Sequence, residues 1–369
     1  MYNNLKALII ILKFDWLNRS TRLSDHLQND HQNNFTLIRL IAALIVVKQH
    51  SFSITAPNSP NALMSILHMS SLGLPSFFFI SGLLVSHSLE KSSSWKNFLW
   101  KRFLRLFPAA WFSILFCAFI LGPLFTSLHL KEYFSSPIFY QFLSSGSLIQ
   151  IHYALPGVFD HSLMGHSSIN SPLWTVSLEL KLYLGLLFFW LIKIPGKRYF
   201  LFLLIILFLV TGQIYPEQTD TFIFRLTGKH LNIFGEFICI PLFLLGVVAN
   251  IYKHKIIIKN YWLPVILIIF VLINNFEHLI LLVFLFVILS NLFVATKGIN
   301  FLKKITPKAD LSYGIYVFAF PFQQVVANYF HPANSWIFFL LTMLLVLPFS
   351  IFSWYFIEKK ALGLKNSVK

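Results

Sequence analysis

The chain has 369 residues, of which 57% are hydrophobic and 11% are charged. Soluble globular proteins carry roughly 25% charged and roughly 45–50% apolar residues, so this composition excludes a soluble enzyme, a disordered protein and a disulfide scaffold. It predicts an all-α integral membrane protein. The net charge of +16 would suggest nucleic acid in a soluble protein, but cytoplasmic loops of membrane proteins also collect Lys and Arg, and we expect no nucleic-acid partner.

Ten segments are long and apolar enough to be membrane-spanning helices, since a span needs about 20 mostly apolar residues. The short apolar stretch Leu5–Phe14 is predicted to be an interfacial helix. The ten predicted spans are Phe35–Ile54, Ile66–Leu89, Leu104–Phe125, Trp174–Ile194, Tyr199–Tyr215, Asn232–Tyr252, Tyr261–Phe276, His278–Thr296, Leu311–Phe330 and Trp336–Ile357.

The basic residues indicate the orientation of these spans. Of the 29 Lys and Arg residues, 23 fall in the termini and in alternate loops on one side, three fall in the opposite loops, and three lie within spans. This asymmetry predicts that both termini are cytoplasmic. The chain then divides into a cytoplasmic or interfacial extension (1–34), a transmembrane domain (35–358) and a basic cytoplasmic tail (359–369).

The longest predicted outer loop covers residues 126–173. Its stretch Ile138–Ile151 is apolar but too short to cross the membrane, so it is re-entrant or lies at the interface. The loop carries four histidines without the HxH or HxxxH spacing of a metal site, and we expect no metal. They are His129, His152, His161 and His166.

The first span carries ionisable residues that are costly in a membrane, at roughly 2.5–3.5 kcal/mol each. Arg39 and His50 are eleven residues apart, which places them about 20° past three full turns, on one helix face and about 16 Å apart. Taken singly, Arg39 suits a snorkelling arginine and His50 a hydrogen-bonded core histidine. Their shared face favours a functional interpretation.

Glu179 in the fourth span is predicted to lie at the depth of His50, because each is about five residues from the outer end of its span. A carboxylate that hydrogen-bonds an imidazole fixes its tautomer and raises its basicity. His50 is therefore predicted to be a general base supported by Glu179. The alternative pairs Glu179 with Lys181 or Tyr183 in a structural role.

Two further groups favour ligand binding. Arg102 and Arg105 lie three residues apart on one helix face, and such a pair suits a phosphate-bearing ligand, although an ordinary positive-inside anchor explains it as well. Ser81 and Gly82 in the second span allow close approach of a substrate, or of another helix.

Together these residues resemble the acyltransferase-3 family of integral membrane acyltransferases, from about Phe35 to Glu358. The resemblance is carried by the Arg39–x10–His50 spacing and by five short motifs in the same order. The motifs are Phe79-Ile-Ser-Gly-Leu-Leu84, Arg102-Phe-Leu-Arg105-Leu-Phe-Pro108, Pro172-Leu-Trp174-Thr-Val-Ser-Leu-Glu179 with Tyr183 four residues on, Leu311-Ser-Tyr-Gly-Ile-Tyr316, and Phe356-Ile-Glu358.

Two positions depart from the family pattern. The family often has a histidine two residues before the proline of the ninth span, where this chain has Ala319, and often has Lys-Pro after the final glutamate, where Lys359 and Lys360 follow Glu358. This chain therefore has no ninth-span histidine at that position, and His50 is expected to act as the base without one.

The resemblance implies a stand-alone O-acyltransferase that moves an acyl group, by default acetyl from acetyl-CoA, to a hydroxyl of a cell-surface or lipid-linked glycan such as an O-antigen or capsule. It places the enzyme in the cytoplasmic (inner) membrane of a bacterium, in contact with membrane lipid. Coenzyme A phosphates are expected at Arg39, Arg102 and Arg105, with the pantetheine arm directed to His50 and Glu179. The substrate is expected at Ser81, Trp174 and Tyr183.

Two alternatives from other classes remain open. A transporter or flippase of glycan or lipid cargo also suits ten spans with buried charges, although no internal repeat is visible. A non-catalytic scaffold leaves the shared face of Arg39 and His50 unexplained.

Overall fold

The structure is a computed structural model that describes residues 20–28, 34–55, 72–159, 168–192, 201–207, 235–275, 280–297, 309–330 and 334–367. This part of the chain is predominantly helical, with one small sheet. Among the described residues, four helical segments are long and apolar enough to cross a membrane: Phe35–Thr55, Trp95–Phe125, Leu173–Ile192 and Ser335–Gly363. The prediction of a helical membrane protein is confirmed at this level.

The α-helices of the described chain are α1 (Leu23–Gln28), α2 (Phe35–Thr55), α3 (Gly73–Glu90), α4 (Trp95–Phe116), α5 (Gly122–Phe125), α6 (Leu130–Ser135), α7 (Pro137–Ser144), α8 (Leu173–Ile192), α9 (Ile240–Ile251), α10 (Trp262–Asn275), α11 (Ile280–Lys297), α12 (Ser312–Tyr329), α13 (Ser335–Ser353) and α14 (Lys359–Gly363). Residues 201–207 are also helical. Short π-helical turns span Cys117–Leu121, Gly235–Cys239 and Trp354–Glu358, and 3-10 turns span Ser145–Ser147 and Leu364–Asn366.

Each of the ten predicted spans contains helical backbone within the described residues. The count of ten membrane crossings and the cytoplasmic termini stay predictions, because only four of these helical segments have the length and hydropathy of a span. Six predicted spans lie partly outside the described residues, at 66–71, 193–194, 199–200 with 208–215, 232–234, 276 and 278–279. The interfacial helix predicted at Leu5–Phe14 lies wholly outside them.

The third predicted helix begins earlier than expected, at Trp95 rather than Leu104. The reason is a helix cap: the Ser94 side chain accepts a hydrogen bond from the backbone N–H of Asn97 at 3.2 Å, and such a cap satisfies a donor that the first turn leaves free. Arg102 and Arg105 consequently lie within a continuous helix rather than at its mouth.

The all-α prediction missed a two-stranded antiparallel sheet. Strand β1 (Ser20–Arg22) pairs with β2 (Ile257–Lys259), and Ser20 lies opposite Lys259. Three-residue strands so far apart in sequence have no alternating pattern long enough to identify them. The sheet attaches α1 to the membrane-embedded helices, and Leu23 of α1 is fully buried.

Two glycines allow α3 and α9 to pack in backbone contact. A Cβ on Gly82 would lie 1.9 Å from the backbone oxygen of Phe243, and a Cβ on Gly246 would lie 2.2 Å from that of Phe79. Small residues permit such close approach between membrane helices. Gly82 therefore serves helix packing, one of the two interpretations of the Ser81-Gly82 pair.

Helix α12 lies at the centre of the bundle and is buried along almost its whole length. Its polar side chains find partners on neighbouring elements: the Gln323 amide donates to the Val47 oxygen of α2 at 2.8 Å and to the Ser51 hydroxyl at 3.0 Å. Asn170 donates to the Val317 oxygen at 2.9 Å. These bonds fix the height of α12 relative to α2.

The described part of the predicted 126–173 loop folds back onto α4. The Tyr133 hydroxyl donates to the Ala118 oxygen at 2.7 Å, and the Trp111 indole donates to the Gly146 oxygen at 2.7 Å. The apolar stretch predicted at Ile138–Ile151 contains most of α7 and a 3-10 turn. His161 and His166 lie outside the described residues.

Candidate active site

A cavity of about 600 Å³ lies between α2, α3, α4, α8 and α12. It follows α3 from Lys91 to Leu74, a length of about 25 Å at 1.5 Å per residue. Lysines line one end, and apolar and aromatic side chains line the other. Six of the eight predicted site residues line this cavity: Ser81, Arg39, Arg102, Arg105, Glu179 and Tyr183.

The arginines of the cavity meet at a carboxylate that the sequence reasoning missed. One oxygen of Asp310, Oδ2, accepts a hydrogen bond from Arg39 at 2.8 Å and another from Arg105 at 3.0 Å. The other oxygen accepts from the Ser312 hydroxyl at 2.5 Å. The Asp310 side chain is only 10% exposed, so these charge-assisted bonds are largely shielded from water.

Asp310 stays ionised in this setting. Burial by itself raises the pKa of its carboxyl, but the charges of Arg39 and Arg105 and the hydrogen bond from Ser312 outweigh burial and hold the pKa well below its usual range. One carboxylate is therefore shared by two guanidiniums. The three arginines that line the cavity outnumber its two carboxylates, Asp310 and Glu179, so an anionic ligand can neutralise the excess positive charge.

Arg102 adds a third guanidinium. It donates to the Ser88 hydroxyl at 3.2 Å, and its guanidinium carbon lies 5.8 Å from the ring centre of Tyr183. Among the described residues, the Nε groups of Arg39 and Arg102 are buried without a hydrogen-bond acceptor. Since buried donors are normally paired, these two indicate an acceptor-rich ligand such as a phosphate.

A second polar cluster joins α3 and α8 in the middle of the cavity. Glu179 Oε1 accepts hydrogen bonds from the Ser81 hydroxyl at 2.6 Å and from the Tyr183 hydroxyl. The Ser81 and Tyr183 oxygens lie 3.0 Å apart. Glu179 and Tyr183 share a face of α8 because they are four residues apart.

Aromatic and hydroxyl side chains line the other end of the cavity. The Thr175 and Tyr316 hydroxyls lie 2.6 Å apart, and the Tyr316 ring meets the edge of Phe77 at 5.6 Å between centroids. Thr175 and Tyr316 were not among the predicted site residues. Both belong to motifs that carry the family resemblance, and those motifs could have identified them. Asp310 directly precedes one of these motifs but lies outside the predicted span. A search restricted to charged residues within spans therefore does not find it.

The structure does not bring His50 and Glu179 together, and the predicted hydrogen bond between them is wrong. Helices α2 and α3 touch where a Cβ on Gly73 would lie 2.6 Å from the Ala42 oxygen. They run antiparallel, because the start of α2 and the end of α3 line the same cavity. His50 and Ser81 each lie about 12 Å from that contact along their helices, on opposite sides of it. Because Glu179 is hydrogen-bonded to Ser81, it lies on the side away from His50.

His50 instead packs its ring against the edge of Phe320, with 5.4 Å between centroids. Within the described part of the chain no hydrogen bond to the His50 ring is formed. Phe320 follows the cavity-lining Tyr316 by one helical turn, about 6 Å, so His50 lies beyond the aromatic end of the cavity. The error came from assuming that two predicted span ends lie at equal depth. The catalytic role of His50 stays a prediction.

Trp174 is the other predicted residue that does not line the cavity. It is partly buried in the first turn of α8, next to Thr175. Its predicted contact with substrate stays a prediction. The cavity residues thus combine a cluster of guanidiniums that can hold an anion with an apolar end that can hold the uncharged part of the same molecule.

Comparisons with known proteins identify relatives of the chain. The chain is 28% identical to the "O-acetyl transferase" of Shigella phage Sf6 over 340 residues, covering 90% of this chain and 97% of the relative. It is 26% identical to "Nodulation protein 10" of Rhizobium leguminosarum bv. viciae over 368 residues, covering 94% and 97%. No solved structure is significantly similar. The family model described as an acyltransferase domain matches residues 32–355, and the chain therefore belongs to the acyltransferase-3 family of acyltransferases.

Proposed function

We propose that this protein is a membrane O-acyltransferase that transfers an acetyl group from cytoplasmic acetyl-CoA to a hydroxyl of a cell-surface or lipid-linked glycan such as an O-antigen or capsule. It acts in the cytoplasmic membrane of a bacterium, with ten spans and both termini in the cytoplasm. The observation that carries the proposal is the cavity lined by Arg39, Arg102 and Arg105, two of which share the Asp310 carboxylate.

The dimensions and polarity of the cavity support an acyl-CoA donor. Coenzyme A is an elongated molecule with phosphates at one end and a thioester at the other. A cavity about 25 Å long, with basic residues towards one end and Phe77 and Tyr316 at the other, suits that polarity. The phosphates then lie near the arginines, and the thioester lies towards the aromatic end. The basic end faces the side that the distribution of Lys and Arg assigns to the cytoplasm.

The acceptor reaches the thioester from the opposite side. His50, which packs against Phe320 one helical turn beyond Tyr316, accepts the proton of the acceptor hydroxyl as its oxygen attacks the thioester carbonyl, and the thiolate of coenzyme A departs. Glu179 holds Ser81 and Tyr183 in place around the middle of the donor rather than orienting His50. Transfer of an acetyl group to a hydroxyl oxygen is supported by the name of the phage relative, "O-acetyl transferase".

The test uses purified protein or membranes with radiolabelled acetyl-CoA and surface glycan from the producing cell. Arg105→Met should reduce label incorporation strongly, because it removes one of two guanidiniums bound to Asp310. Lys96→Met, on the same helix but exposed outside the cavity, should leave incorporation unchanged. A transporter without acyl transfer predicts no incorporation by any variant, and that result would exclude the proposed function.

A further inference from the structure

Three lysines from separate parts of the chain converge on the basic end of the cavity. Lys91 follows α3, Lys101 lies in α4, and Lys365 lies in the 3-10 turn Leu364–Asn366. The basic tail (359–369) was used above only to predict the orientation of the spans. Because Lys365 of this tail lines the cavity, the tail is also part of the site.

The turn that carries Lys365 is fixed to the bundle. The Trp100 indole N–H of α4 donates to the Leu364 oxygen at 2.9 Å and to the Ser367 hydroxyl at 3.1 Å. Leu362, one turn earlier, also lines the cavity. The hydrogen bonds of Trp100 therefore hold the turn against α4, and Lys365 and Lys101 line the same cavity.

Two of these lysines have no ion-pair partner. Within the described chain, neither Lys91 nor Lys101 forms an ion pair, and the adjacent Glu90 is bound by Lys253. The deeper arginines already share Asp310. The cavity thus has two basic zones, a deep one made of guanidiniums and an outer one made of ammonium groups.

We propose that Lys91, Lys101 and Lys365 form a phosphomonoester site that binds the ribose phosphate of coenzyme A. This inference rests on the proposed function, in which the donor is an acyl-CoA. Coenzyme A carries a diphosphate, for which paired guanidinium donors are suited, and a separate phosphomonoester with a charge of about −1.5 to −2 at neutral pH. Lysines act as point charges towards such a group.

The test compares acetyl-CoA with acetyl-dephospho-CoA, which lacks only the ribose phosphate. Lys365→Met should raise KM for acetyl-CoA about threefold to fivefold, the effect of one exposed ion pair, with kcat little changed. KM for acetyl-dephospho-CoA should stay constant. The Lys91, Lys101 and Lys365 triple variant should raise KM for acetyl-CoA at least about tenfold and remove the preference between the two donors. Lys96→Met is the matched control on α4.

A second variant tests the anchoring of the tail. Trp100→Phe keeps an aromatic ring but removes the indole donor to Leu364, so KM for acetyl-CoA should rise while KM for acetyl-dephospho-CoA does not. Equal losses with both donors in the lysine variants would overturn the phosphate site and leave the proposed function intact. Absence of acetyl transfer by the wild type from either donor would overturn the proposed function and this site with it.

Discussion

Replacing Asp310 by Asn removes the charge that Arg39 and Arg105 share while keeping the size of the side chain. Removing one partner of a buried ion pair costs about 3–5 kcal/mol. The side chains of Asp310, Arg39 and Arg105 are 10%, 24% and 18% exposed, so some screening by water remains and the lower end of that range applies. We expect Asp310→Asn to lower the free energy of unfolding by about 3 kcal/mol.

The assay is thermal unfolding in detergent with and without coenzyme A. A ligand present at 100 times its Kd stabilises the folded state by about 2.7 kcal/mol. Because its phosphates supply the missing negative charge, coenzyme A should restore most of the stability lost in Asp310→Asn. The exposed Asp25→Asn is the control. An Asp310→Asn protein that unfolds at the wild-type temperature, or that coenzyme A stabilises less than the wild type, would refute the reasoning.

The pH dependence of this effect has a definite sign. The pKa of Asp310 is depressed in the folded protein, so its contribution to stability is fully present above the unfolded pKa of about 3.9 and is lost as the pH falls through the folded value. The stability difference between the wild type and Asp310→Asn should therefore be constant from pH 5 to pH 8, which unfolding at several pH values measures. A difference that shrinks within that range would contradict the assignment.

Tyr183→Phe should lower the free energy of unfolding by about 1.5–3 kcal/mol, because it removes a hydrogen bond to the Glu179 carboxylate; unchanged thermal unfolding would contradict that bond. His50→Ala should abolish acetyl transfer to glycan while coenzyme A still raises the unfolding temperature, and full transfer activity in this variant would remove His50 from the mechanism. Gly82→Val should prevent recovery of folded protein in gel filtration, since even a Cβ has no room against α9, whereas Gly185→Ala, with no atom within 4 Å of the added group, should be recovered normally. Tyr316→Ala should increase the use of butanoyl-CoA relative to acetyl-CoA, since each buried CH₂ is worth about 0.8 kcal/mol; an unchanged ratio in competition assays would place the acyl chain elsewhere.

The sequence predicted the parts of the fold that depend on local composition. Apolar runs located helical backbone in all ten segments, and short motifs identified six residues of one cavity. The start of α4 was missed because its first turns are rich in polar and basic residues, and Ser94 rather than hydropathy determines where the helix begins. Hydropathy reports where a chain can enter a membrane, not where a helix begins.

The partners of the site residues were predicted less well than the residues themselves. The separation of Glu179 from His50 depends on the relative height of α2 and α3, because Glu179 is hydrogen-bonded to Ser81 of α3. That height is set by contacts such as the one between Gly73 and Ala42. The role of Asp310 depends on its contact with Arg39, which lies 271 positions away in the sequence. Neither relation is encoded in the periodicity of a single segment. A helix-face argument relates Arg39 to His50 within one helix but cannot pair Glu179 with a residue of another.

The strand pairing between Ser20 and Lys259 has a consequence for biosynthesis. Leu27, which follows β1 in α1, lines the cavity and accepts a hydrogen bond from His87 at 3.1 Å. Strand β2 follows α9 in the sequence, so its pairing with β1 forms only after most of the helices have been synthesised. A chain whose synthesis has not reached β2 lacks the strand that holds this wall of the cavity in place. The complete cavity is therefore a property of the assembled bundle.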